Sequence, residues 1–172
     1  YGIDLTLKPT NNINFSINSS IENRTGFMQW VDIIDSQNGK FEDSNGRYDI
    51  IYAKTKRDQI NHKVRLNVTF NPKMTFEAFY QPFNVDMNYE DYYRLNQKET
   101  FRTSSFNYEG NKSFQIENQR GTFVFRWEFR PGSLIYLVYN LNDNNYFSDE
   151  DNEWEDERSN SLFMKLDYFL QP

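Results

Sequence analysis

A catalytic triad of serine, histidine and an acid in this chain would have to be built on His62, its only histidine. A Ser–His–acid hydrolase would use it as the base. Asp58 stands four residues earlier, on the same face of a regular strand. No Gly-x-Ser-x-Gly elbow is present, so the serine would have to be supplied from elsewhere in the fold. The plainer account of His62 is a polar strand residue, and the expectation is a chain that is not an enzyme. The run Asp149–Glu157, "DEDNEWEDE", gathers seven carboxylates. As a calcium loop it fails, because an EF-hand requires Gly at its sixth position and Trp154 stands there. It reads as a solvated loop facing divalent ions and anionic headgroups. No metal site and no cofactor are expected.

Two further sets of residues are candidates for binding. Arg65, Glu77, Arg126, Glu128, Arg130, Lys165 and Asp167 alternate with apolar neighbours and so should share one face. A single-sign ladder would select ions. These signs alternate, which favours cross-strand ion pairs filling an interior. Trp30, Tyr92, Tyr93 and Trp154 are candidates for stacking on sugars. Asn-x-Ser/Thr matches, such as Asn67-Val68-Thr69, are too frequent at this asparagine content to carry meaning.

What would position these groups is a set of strands. In "TFVFRWEFRPGSLIYLVY" (122–139) Phe123, Phe125, Trp127 and Phe129 occupy every second position. The same period of two recurs in seven segments: 3–8, 13–18, 64–70, 75–81, 122–130, 135–141 and 162–170. No window gives a helical stripe, though 88–97 has room for one helical turn. Tight turns are expected at Pro9, Pro72 and Pro131-Gly132, with long polar stretches between them. The 172 residues form one domain, 18% aromatic, without cysteine and without an apolar run long enough for a membrane helix. Net charge is -6, and outside the acidic run it is nearly balanced, so no basic face invites nucleic acid.

Alternating antiparallel strands suit either a soluble sandwich or a membrane barrel. Long connections at one end and tight turns at the other favour the barrel. So does the length of segments two and three, near 20 residues where globular strands average about 5–6. The expected fold is thus an all-β, antiparallel, up-and-down transmembrane barrel, of which 1–172 is the C-terminal part. Seven strands leave an odd count, so at least one more is expected from upstream chain or a partner. Phe123, Phe125, Trp127, Phe129, Ile135, Leu137, Tyr139, Leu162, Met164, Leu166 and Tyr168 should face lipid. The charged ladder should face the lumen, and the tight turns the periplasm. The acidic loop 142–160 should lie outside the cell, against lipopolysaccharide, with the C-terminus periplasmic.

Two stretches carry a family resemblance. One contains Asn71-Pro72-Lys73-Met74 and Gln81-Pro82-Phe83. The other contains Arg126-Trp127-Glu128-Phe129-Arg130-Pro131-Gly132-Ser133 and is joined to Lys165-Leu166-Asp167-Tyr168-Phe169. In order and spacing these resemble the C-terminal region of the Bacteroidota outer-membrane proteins catalogued as domain of unknown function 5916. The resemblance spans roughly residues 48–172. It implies an outer-membrane barrel following an N-terminal domain similar to family-nine carbohydrate-binding modules, which this chain does not contain. It names no activity. The functional expectation is a noncatalytic barrel that anchors or conducts, with protein partners in a surface or secretion assembly. A soluble carbohydrate-binding sandwich is the first alternative and a hydrolase using His62 the second.

Overall fold

The computed structural model describes residues 1–170. All of its regular structure is antiparallel strand: β1 (Gly2–Thr10), β2 (Ile13–Asp35), β3 (Phe41–Asp43), β4 (Gly46–Asn71), β5 (Met74–Gln97), β6 (Arg102–Ser105), β7 (Phe114–Arg130), β8 (Ser133–Ser148), β9 (Glu153–Arg158) and β10 (Ser161–Asp167). One sheet holds them in the order β1-β2-β4-β5-β7-β8-β10, with β3, β6 and β9 short additions at one end. The seven strands of that path are the seven segments read from the alternation. The sheet is open, since β1 and β10 are its two edges and do not pair with each other.

The register explains why the alternation was so regular. Leu7, Phe15, Leu66, Ala78, Phe123, Tyr139 and Leu162 lie directly opposite one another in sequence across all seven strands. One row toward the tight turns stand Ile13, Val68, Phe76, Phe125, Leu137 and Met164. Then come Met74, Trp127, Ile135 and Leu166. On the other side runs the row Leu5, Ile17, Val64, Tyr80, Gly121 and Leu141. The result is one unbroken apolar face. Along β7 it runs from Gly121 to Phe129, roughly 27 Å at strand rise. Among the described residues no second layer packs on it: Trp127, Leu137 and Tyr139, in the middle of the sheet, remain 40%, 37% and 38% exposed.

The opposite face carries Ser16, Arg65, Phe79, Thr122, Asn140 and Ser161 in one row and Asn14, Asn67, Glu77, Val124, Val138 and Phe163 in the next. Side-chain hydrogen bonds knit parts of it. Thr122 Oγ1 donates to Asn140 Oδ1 at 3.1 Å, and Gln81 Nε2 donates to Asn61 Oδ1 at 2.9 Å.

Two turns are as expected, at Pro72-Lys73 and Pro131-Gly132, where Gly132 takes φ +76°. Pro9 is different. It lies inside β1, and the turn is made by Asn11-Asn12. A proline is tolerated there because β1 is an edge strand whose outward N–H groups have no ladder partner. Pro82 is the unusual case, a proline in a central strand. The register between β4 and β5 runs to Asn61↔Phe83 and resumes at Val64↔Tyr80, so the pairing lapses opposite Pro82. Proline has no N–H to give, which leaves a β4 acceptor without its donor.

The polar stretches between tight turns are mostly strand. β4 has 26 residues and β5 has 24, so each reaches roughly 80 Å. The helical turn expected at 88–97 is absent, and those residues continue β5 through a bulge at Asp91, φ 48°. Cross-strand aromatic pairs hold these extensions, as in Phe114–Tyr146 (5.7 Å) and Phe147–Trp154 (5.2 Å).

At this end two segments leave the sheet and cross its polar face. Residues 36–40 pass over β4 from its β2 side to its β5 side, since Asp35 and Phe41 both stand opposite Tyr48. Lys40 N donates to Asp49 Oδ1 at 2.9 Å. The crossing requires Gly39, because a Cβ there would meet the Tyr48 backbone at 2.5–2.6 Å. Gly39→Ala should therefore cost about 1–3 kcal/mol of local stability. Hydrogen exchange at Lys40 and Asp49 measures it, and unchanged protection would contradict so close a crossing.

Candidate functional site

The charged ladder separates into individual fates. Arg65 stacks over the Phe79 ring, 4.7 Å to the centroid. Lys165 pairs with Asp167 on its own strand at 2.9 Å and lies 5.8 Å from the centre of the Tyr136 ring. Glu128 accepts from Gly132 N at 3.0 Å, so it clamps the turn. Among the described residues Lys165–Asp167 is the one ion pair within this set, and the expected network of cross-strand pairs is not there. Cation–ring contacts take its place, because aromatics also occur on the polar face.

Arg130 does not share that face. The register runs Glu128↔Leu134 and then Arg130↔Ser133, with Phe129 as the extra residue of a bulge. One inserted residue flips everything after it. Arg130 consequently turns to the apolar side, where its Nη1 donates to Tyr168 Oη at 2.7 Å. Tyr168 itself lies just past β10, which ends at Asp167, so it caps the turn region.

His62 stands opposite Ser19, at the margin where the apolar face gives way to Gln119 and Asp143. Ser19 is thus its register partner on β2, but among the described residues no hydrogen bond joins the two side chains. Asp58, the presumed acid, instead accepts from Asn23 Nδ2 at 2.5 Å. The stacking candidates are divided. Trp30 and Tyr93 flank Tyr52 in one row on the apolar side of the far end, whereas Tyr92 is on the polar side and Trp154 is on β9. The carboxylates of Glu153, Glu155 and Glu157 alternate with Trp154 and Asp156 along β9, so the acidic run is dispersed over two faces.

Sequence reasoning missed the densest cluster. Between Phe106, whose N donates to Tyr92 O, and Phe114, opposite Met87, the chain departs from the sheet as residues 107–113. Tyr108 lies against Tyr92 and donates to Asp32 Oδ2 at 2.8 Å, two strands away on β2. At the segment's other end Ser113 Oγ accepts from Tyr89 N at 3.0 Å. Asn111 Nδ2 donates to Asp149 Oδ2 at 3.0 Å, and Lys112 pairs with Glu150. Beside it, on the same face, Arg94 meets the carboxylate of Asp49 at 3.5 Å, and Asp49 is only 2% exposed. Ile51, Ala53, Thr55 and Met87 are buried on this face too, the nearest thing in the chain to a core.

Partial burial first, and then the Asp32 carboxylate, push the Tyr108 hydroxyl well above its ordinary 10.0. The folded state therefore keeps a proton that the unfolded chain releases near pH 10, and linkage makes the segment less stable as pH rises above that value. Protection of the 107–113 amides, taken relative to the base-catalysed intrinsic exchange rate at each pH, should fall above about pH 10 in the native protein. Tyr108→Phe should remove that pH dependence, and a slope surviving in the variant would assign it elsewhere.

Comparison with known proteins gives one positive result. No curated protein and no solved structure matches the chain. A family profile, described as a domain of unknown function (DUF5916), matches residues 1–171. That span takes in the whole sheet, from the edge strand β1 to the edge strand β10 and the segments that cross its polar face, and the chain belongs to the DUF5916 family.

Proposed function

We propose that this chain is part of the wall of an outer-membrane β-barrel, noncatalytic, serving as an anchor or conduit within a surface or secretion assembly. The observation that carries the reading is the unbroken apolar face, which crosses seven strands with no second layer over it. Its length of roughly 27 Å along a strand, or about 20 Å after the tilt of 35–45° usual in barrels, is close to the apolar band of such walls. A soluble sheet would expose that area to water at a cost no monomer tolerates well.

On this reading lipid covers the face of Phe125 and Leu137, and the polar face lines the lumen. Tight turns point to the periplasm, and the long ends of β4, β5 and β8 stand outside the cell with the acidic run near lipopolysaccharide. Further strands bridge β1 and β10, from the same polypeptide or from a partner, because an open edge in lipid leaves backbone groups unpaired.

The test uses the complete protein in its native membranes. Retention through an alkaline carbonate wash, together with a gel mobility shift on boiling, is the expected result. Release into the wash without a shift would sink the membrane reading and return attention to a soluble carbohydrate-binding protein.

A further inference from the structure

We infer that residues 107–113 form a fixed internal barrier that closes the outward end of the barrel's polar interior, so that the wall is shut at rest. The inference rests on the barrel reading and goes beyond it, because that reading leaves anchor and conduit open.

The register puts the segment on the polar side. Asp32 stands opposite Ile51, and Tyr92 opposite Ala53, on the side continuous with Arg65 and Glu77. Between its two ends β5 advances only from Met87 to Tyr92, so the excess chain must leave the sheet plane. It leaves inward. Tyr108 spans two strand spacings, about 10 Å, to reach Asp32. The other end is tied to the β8–β9 turn through Asn111–Asp149 and Lys112–Glu150. A segment attached at both ends, to β2 on one side and to the β8–β9 turn on the other, is a brace rather than a dangling loop. The crossing at 36–40 adds a second layer beside it, through Lys40 and Asp49. Below this level the polar face carries Asn61, Gln81, Asn118 and Arg120 around an open groove of about 200 Å³ beside Phe83. The narrowing is therefore confined to one end.

The experiment measures conductance of the complete protein in planar bilayers, with the boiling shift as a parallel check of the barrel. Three forms are compared: the native protein, Tyr108→Ala, and a form with 107–113 replaced by a Gly-Ser linker of equal length. The native form should conduct poorly. The linker form should conduct at least several-fold better, with Tyr108→Ala between them. An unchanged conductance in a linker form that still shifts on boiling would overturn the barrier while leaving the barrel standing. A large native conductance would overturn it as well. Absence of the boiling shift in the native protein would remove the barrel reading and the barrier with it.

Discussion

Phe125→Arg should destabilise the assembled protein by about 2–4 kcal/mol, the cost of a basic side chain at the lipid midplane of a barrel. Val124→Arg, one residue away on the same strand, should cost little. Phe125 lies between Phe76 and Leu137 in the middle of the apolar face. Val124 lies between Glu77 and Val138 on the polar one, where a new guanidinium would meet a carboxylate. Strand position and the residue introduced are matched, and the volume change disfavours Val124→Arg rather than Phe125→Arg, so a larger loss at Phe125 reports the face. Urea midpoints of the complete protein folded into lipid vesicles give the comparison. Equal losses at both positions would mean that neither side of β7 meets lipid.

Arg94→Met should cost about 3 kcal/mol, the low end for breaking a buried pair because Arg94 itself is partly exposed. The Asp49 carboxylate, at 2% exposure, would lose its guanidinium partner and retain the Lys40 amide. The loss should appear as faster proteolysis of both inward crossings, since Arg94 also lies over the Phe106 ring, 5.7 Å to the centroid. Adding Asp49→Leu should recover much of it, because an apolar pair in a buried site is often as good as an ionic one. A double variant no better than Arg94→Met would show that the Asp49–Lys40 contact carries the stability.

Within the apolar zone the sequence was a sufficient guide. There, one face must avoid water and the other must not, and the period of two states this at every strand from Leu5 to Leu166. Beyond it the pattern vanished, because both faces of β4 and β5 are polar in that region. Lys54, Lys56 and Asp58 follow one another on one side, Thr55, Arg57 and Gln59 on the other. The far part of β5 looked like a loop there, whereas β2 and β4 were read at nearly their full length. What shows such extensions in space is aromatic pairing across strands, as in Phe114–Tyr146 at 5.7 Å, and such pairs have no spacing in sequence. The inward segments were illegible for a related reason. Gly39 is an ordinary loop glycine until a backbone is seen 2.5 Å from where its Cβ would be. Arg130 misled because a single bulge residue, Phe129, is invisible to a count of alternate positions.

Pro82 has one more consequence. A carbonyl without its donor is costly in hydrocarbon and cheap where headgroups and water reach. Along β5 it falls two residues past Tyr80, in the row where His62, Gln119 and Asp143 replace the apolar side chains. Side-chain chemistry and backbone chemistry thus change, independently, at the same level of the sheet.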